Sequence, residues 1–116
     1  IEVNHWYDPR SDSGQAMRTR TEADGKYFTF EVYCAYMSIL FLVDGFERAG
    51  STDKEAVNAA LASSTLSVDF MPYGPTKMVN GQNMGSRAVA IQAQKGDVEV
   101  IAPASYASAS AIFPRS

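Results

Sequence analysis

Apolar residues change their period along this chain, and each change marks an element. Ile1, Val3, His5 and Tyr7 alternate with Glu2, Asn4 and Trp6, which is the period of a short strand over residues 1–7 with both faces partly apolar. Asp8-Pro9-Arg10-Ser11 breaks it, because a proline disfavours helix at the residue before it. A helix follows over residues 13–24, with Ser11 or Ser13 as its cap and Gly25 as its stop. Its apolar face is thin, little more than Ala16 and Met17. Positions 32–43 then carry no charge at all, and apolar residues stand side by side instead of alternating. That pattern predicts a helix over residues 30–49 that is apolar nearly all round and needs cover on nearly every side. At about 1.5 Å per residue the uncharged run spans about 18 Å, short of the roughly 30 Å hydrocarbon core of a bilayer. It reads as a core helix and not as a membrane span. Thr29 is a candidate cap, Asp44, Glu47 and Arg48 give the last turns a polar side, and Gly50 is placed to stop it in the left-handed conformation.

Thr52-Asp53-Lys54-Glu55 fits a capping box and opens a helix over residues 53–62, with Val57, Ala60 and Leu61 on its buried face. The link to the preceding helix is very short, so the two are expected to pack as neighbours. From Leu66 the period becomes two. Leu66, Val68 and Phe70 face one way and Ser67, Asp69 and Met71 the other, predicting a strand over 66–71 that Pro72-Tyr73-Gly74-Pro75 ends. Asn80-Gly81 is a turn dipeptide. Residues 88–94 and 98–101 form strands around Lys95-Gly96-Asp97, the clearest hairpin in the chain. Pro103 to Ser116 is small, polar and Pro-containing, and reads as a tail that hugs the surface. The class is α/β.

Composition narrows this picture. A chain of 116 residues builds one domain of modest core. With 46% hydrophobic and 20% charged residues it folds as a globule. A net charge of -3 and a pI near 5.0 argue against nucleic acid or an anionic membrane surface as partner, since both call for a basic face. The one cysteine, Cys34, lies inside the apolar helix and excludes an internal disulfide. The chain opens on Ile1, which suggests a processed chain or a piece of a larger one.

Candidate chemistry is sparse. His5 and Cys34 are the only His and Cys and stand on different elements, so no metal site is expected, and no cofactor. No G-x-S-x-G nucleophile pattern is present. Gly81-Gln82-Asn83-Met84-Gly85 lacks the Lys-Ser/Thr of a phosphate loop and precedes a strand, so it reads as a turn. Arg18 and Arg20 read as a solvated face. Tyr33 and Tyr36, three apart, share a side of the core helix, with packing as their default role. The residues by themselves predict no enzyme and no specific ligand.

The order of segments adds a resemblance. Ala35-Tyr36-Met37 through Asp44-Gly45-Phe46-Glu47-Arg48-Ala49-Gly50-Ser51 resembles the long helix of the periplasmic branched-chain (Leu/Ile/Val) amino-acid binding proteins, the type I solute-binding components of ABC importers, where a "YxAVxxLxxAxERAGS" pattern is common. Thr52 to Leu61 is similar to their next, short helix. Pro72-Tyr73-Gly74-Pro75-Thr76-Lys77-Met78 with Asn80-Gly81-Gln82-Asn83 resembles their "GPxxFDxxGQN" segment, and Ala88 to Pro103 their closing "VVxQxxDGxxxVVxP" hairpin. Trp6-Tyr7-Asp8-Pro9 to Gly25-Lys26 is compatible with the strand and crossover before these. The resemblance covers essentially the whole chain in the family's order, yet only the last third of the family's length. Three departures stand out. The 13–24 helix lacks the family's aromatics near Met17 and Thr21, Met78 stands where Phe is usual, and Gly45 sits inside a helix at a cost of about 1 kcal/mol relative to Ala.

What the resemblance implies is a fragment, residues 1–116, of a two-lobe ligand-binding domain: a lobe-one-like helical part over 10–85 and a lobe-two-like hairpin and tail over 86–116. In the family the lobes close on a small ligand and present it to an ABC permease in the periplasm. Through the Glu-Arg-Ala-Gly-Ser end, Phe30 and Glu31 fall where the family brings a pocket-lining side chain, and Tyr33 is nearby. Glu31 fits equally well as an ordinary first-turn carboxylate. The alternatives are a ligand-sensing receptor domain of the same fold and a truncated, self-associating module without a ligand. The family's helices cover a parallel sheet of strands that lie earlier in sequence, and this chain supplies few. Leaving several Leu- or Phe-sized side chains bare, at roughly 1.5–3 kcal/mol each, is prohibitive against a stability of about 5–15 kcal/mol. Further chain, or a second chain, is therefore expected to complete the core.

Overall fold

A computed structural model describes residues 1–114. Three helices and two small antiparallel sheets give a mixed α/β chain, which divides into two compact units.

One unit is made of Ile1–Phe30, Asp69–Pro72 and the segment from Arg87 on. Its sheet has the order β1 (Glu2–Asn4), β4 (Val89–Gln94), β5 (Asp97–Ala102), all antiparallel. β1 sets Glu2 against Ile91 and Asn4 against Val89. β4 and β5 pair from Gln94–Asp97 to Ile91–Val100, with a register shift between Ala90 and Ile91. Their two-residue turn places Lys95 and Gly96 at φ 53 and 84, the left-handed pair that a tight hairpin of this hand requires. Val89, Ile91 and Val100 are buried, as are Trp6, Tyr7, Met17, Phe70 and Met71. The rings of Trp6, Tyr7 and Phe28 meet at centroid separations of 5.1–5.5 Å. Helix α1 (Asp12–Ala23) is capped by Ser11, whose hydroxyl accepts from Gly14 N–H at 3.1 Å.

The tail of this unit hugs the sheet through named bonds. Gln92 both accepts from Ile112 N–H and donates to Ile112 C=O, Gln94 donates to Ser110 C=O, and the Ser108 hydroxyl accepts from Val100 N–H. The last two residues of the predicted tail lie outside the described residues.

Two predicted strands differ from what forms. The first shrinks from 1–7 to Glu2–Asn4. Beyond it Trp6, Tyr7 and Asp8 are all buried, so the alternation ends, and Asp8 N–H bonds Phe70 C=O (2.7 Å) instead of a ladder. Residues 66–71 form no strand. Leu66 C=O accepts from Thr76 N–H and Phe70 C=O from Asp8 N–H, so the backbone partner changes within the segment. Phe70, Met71 and Pro72 are buried in succession, which a period-two strand with one buried face does not allow.

The other unit is Glu31–Val68 with Tyr73–Ser86. Helix α2 (Phe30–Ala49) supplies its long side, and Gly50, at φ +59, turns the chain into α3 (Lys54–Ala62). The cap of α3 is Asp53, not Thr52: its carboxylate accepts from Glu55 and Ala56 N–H at 3.1 and 3.0 Å. Gly45, the anomalous residue of α2, has a packing reason. A Cβ there would lie 2.6 Å from Leu61 Cδ2, so the glycine leaves room for the Leu61 side chain of α3. Around this crossing Arg48 donates to Asp44 (3.0 Å) and to Ala60 C=O, and Ser64 donates to Asp44. Two-residue strands β2 (Met78–Val79) and β3 (Gln82–Asn83), which the period did not predict, flank the Asn80-Gly81 turn.

This chain covers only part of the apolar surface of α2. In α2 only Tyr33 and Gly45 are buried. Tyr36, Ile39, Val43 and Phe46 recur at i, i+3, i+7 and i+10 on the side away from Gly45, and all stay substantially exposed, Ile39 by 60%. The cover that α3 provides reaches one side only. Among the described residues no helix is long and apolar enough to cross a membrane.

Candidate functional site

The first turn of α2 carries the three predicted contact residues, and the structure does not gather them on one face. Phe30 is 39% exposed and Glu31 is exposed, whereas Tyr33 is 2% exposed. Glu31 and Tyr33 are two apart, and residues at that spacing do not face each other on a helix. Glu31 stands where the positive end of the helix dipole favours a carboxylate. Burial foremost, then the charge and hydrogen bond of Tyr73, holds the Tyr33 hydroxyl well above the ordinary phenol range. Cys34 follows. Burial first, and the Glu31 charge second, pushes its thiol up, which leaves it a poor nucleophile at neutral pH. Tyr36, expected to share the side of Tyr33, is half-exposed on the bare stripe.

Tyr33 leads, through Tyr73, to a feature that was not foreseen from sequence. A cavity of about 280 Å³ opens beside α2, lined by Met37, Ser38 and Phe41 from the helix and by Tyr73, Thr76, Met78 and Asn83 from the connection that follows α3. Asn83 shapes that connection: its Oδ1 accepts from Lys77 N–H (3.1 Å) and from Gly85 N–H (3.0 Å). The Asn80-Gly81 turn was the one local sign of it. Which side of α2 the turn faces was hidden, because a helix without charges over 32–43 has no polar marks to orient it.

In the other unit the ionic chemistry is structural. Arg18, read from sequence as solvated, donates to Glu22 and to Asp97, both at 2.8 Å, tying α1 to the β4–β5 turn. The Tyr7 hydroxyl is pushed up by burial, with Arg18 opposing. Arg10 forms a two-point pair with Asp8, donates to Ser105 C=O, and lies 5.9 Å over the Tyr106 ring. Among the described residues no group of three or more His, Cys, Asp or Glu is placed to hold a metal ion. No family model, curated protein or solved structure matches this chain.

Proposed function

We propose that this chain belongs to a protein that binds a small solute outside the cytoplasm. Its particular kind, on this reading, is the type I solute-binding component of an ABC importer for branched-chain or related amino acids, of which the chain is the C-terminal part. The observation that carries the reading is order. The Ala35–Ser51 segment lies on one long helix ended by a left-handed Gly50, the short α3 comes next, the Pro72–Asn83 segment turns at Asn80-Gly81, and the β4–β5 hairpin closes the chain. That is the sequence of elements the resemblance implies. The bare apolar stripe of α2 supports the same reading, because a helix that packs on a sheet has such a face. On this reading residues 10–85 serve one lobe and 86–116 the other. Phe30, Glu31 and Tyr33 stand near the ligand, and a permease is the partner that receives it.

Calorimetric titration of the polypeptide that carries this chain, with L-leucine, L-isoleucine and L-valine as probes, tests the reading. Saturable one-to-one heat is expected, with Phe30→Ala raising the dissociation constant about tenfold. No heat with any of the three, together with a stable oligomer of the chain, would replace it by the self-associating module, which the α2 stripe also suits. A ligand-sensing receptor domain of the same fold is separated by its failure to bind a permease.

A further inference from the structure

We propose that the cavity between α2 and the Asn80-Gly81 turn is a binding site for a small, uncharged aromatic compound that carries a hydrogen-bond acceptor. The proposal is independent of the solute-binding reading, since none of Phe30, Glu31 and Tyr33 lines this cavity. Its apolar wall is Met37, Phe41 and Met78. Thioethers adapt their shape to a guest and favour the edges of aromatic rings, so this wall suits an aromatic guest. No acidic or basic side chain lines the cavity, so a charged guest would give up hydration without meeting an opposite charge.

The polar groups of the lining define what the guest must offer. The Ser38 hydroxyl already donates to Cys34 C=O at 2.8 Å. Asn83 has committed its Oδ1 to the Lys77 and Gly85 amides, so the group it has left to offer is the Nδ2 donor, which calls for an acceptor. Thr76, only 4% exposed, adds a hydroxyl. The same Asn83 bonds brace the turn, so the wall is formed before a guest arrives. At about 280 Å³ the cavity falls near the lower bound of small-molecule sites, roughly 300–1,000 Å³. A single ring with one carbonyl or hydroxyl is within this volume.

The five methionines make the test local. Met37 and Met78 line the cavity, Met17 and Met71 are buried in the other unit, and Met84 is 54% exposed and reports non-specific contact. The chain, labelled with ¹³C at the methionine methyls, is titrated with benzamide. Saturable shifts confined to Met37 and Met78 are expected, with a dissociation constant on the order of 1 mM for so small a probe, and with nuclear Overhauser contacts from its ring protons to both methyls. Benzoate, the anion of similar shape, should bind at least about tenfold more weakly. Ser38→Met, which fills the cavity from the exposed side of α2, should raise the benzamide constant about tenfold while leaving far-UV circular dichroism unchanged. Linear, unsaturating shifts, a Met84 response as large as that of Met37 and Met78, or equal binding of benzoate overturns the proposal. The benzamide and benzoate comparison needs no variant and stands if Ser38→Met disturbs the fold.

Discussion

Gly45→Ala is the sharpest probe of how the helical unit is assembled. In an exposed helix interior the change stabilises by about 0.8–1.0 kcal/mol, because glycine gives up more backbone freedom on folding. Here the new Cβ would stand 2.6 Å from Leu61 Cδ2, 3.0 Å from Leu61 Cγ and 3.8 Å from Val57 Cγ1. Carbon atoms prefer about 3.5–4.0 Å, so the two leucine contacts are too short and only the valine contact is ordinary. Leu61 must swing off the helix or α2 and α3 must separate. Overpacking of this kind costs about 1–3 kcal/mol, so the net effect is a loss of up to about 2 kcal/mol in spite of the better helix former. Leu61→Ala removes both short contacts. In that background Gly45→Ala should recover its propensity gain of about 1 kcal/mol, giving a coupling of about 1–3 kcal/mol between the two positions. Urea unfolding of the four proteins, followed by far-UV circular dichroism, measures the cycle. Equal stabilisation by Gly45→Ala in both backgrounds would show that α3 does not approach Gly45 and would refute the packing reason given for it.

Acid should loosen the sheet-bearing unit through two carboxylates. The hydrogen bond from Arg10 holds Asp8 below its ordinary range against the opposing effect of burial. Asp97 is pushed up by burial, yet Arg18 and the Val98 N–H outweigh it and leave it lowered. Both groups are more acidic folded than unfolded. Their stabilisation is therefore complete above the ordinary carboxylate range and is lost as pH falls through the lowered values. Asp8→Asn should be less stable than the parent at pH 7, with the gap closing as pH falls below the ordinary carboxylate range; a gap that is constant with pH speaks against the Asp8–Arg10 pair. The α2 stripe predicts association of the isolated chain in sedimentation, reduced by Ile39→Lys at its most exposed position. A strictly monomeric, well-folded chain would show that the stripe needs no cover.

Local chemistry was legible in the residue order wherever it acts within a few positions. The β4–β5 hairpin follows from Lys95-Gly96, which take the left-handed conformations a tight turn needs whatever surrounds them. The ends of α2 follow from its uncharged run and Gly50, and α1 takes Ser11, one of the two candidate caps. Pairing was not legible. Residues 66–71 alternate like a strand, but a strand exists only where a neighbour offers a continuous ladder, and Leu66 and Phe70 find different partners. Of the candidate site, the sequence placed Phe30, Glu31 and Tyr33 on one helical turn, and only the fold set Tyr33 inward and left Phe30 and Glu31 exposed. The cavity beside Met37 and Phe41 lay beyond sequence altogether. A helix apolar on every side states that it must be covered without stating where. Only the fold shows that Leu61 of α3 lies against Gly45 on one side of α2, while Tyr36, Ile39, Val43 and Phe46 stay exposed.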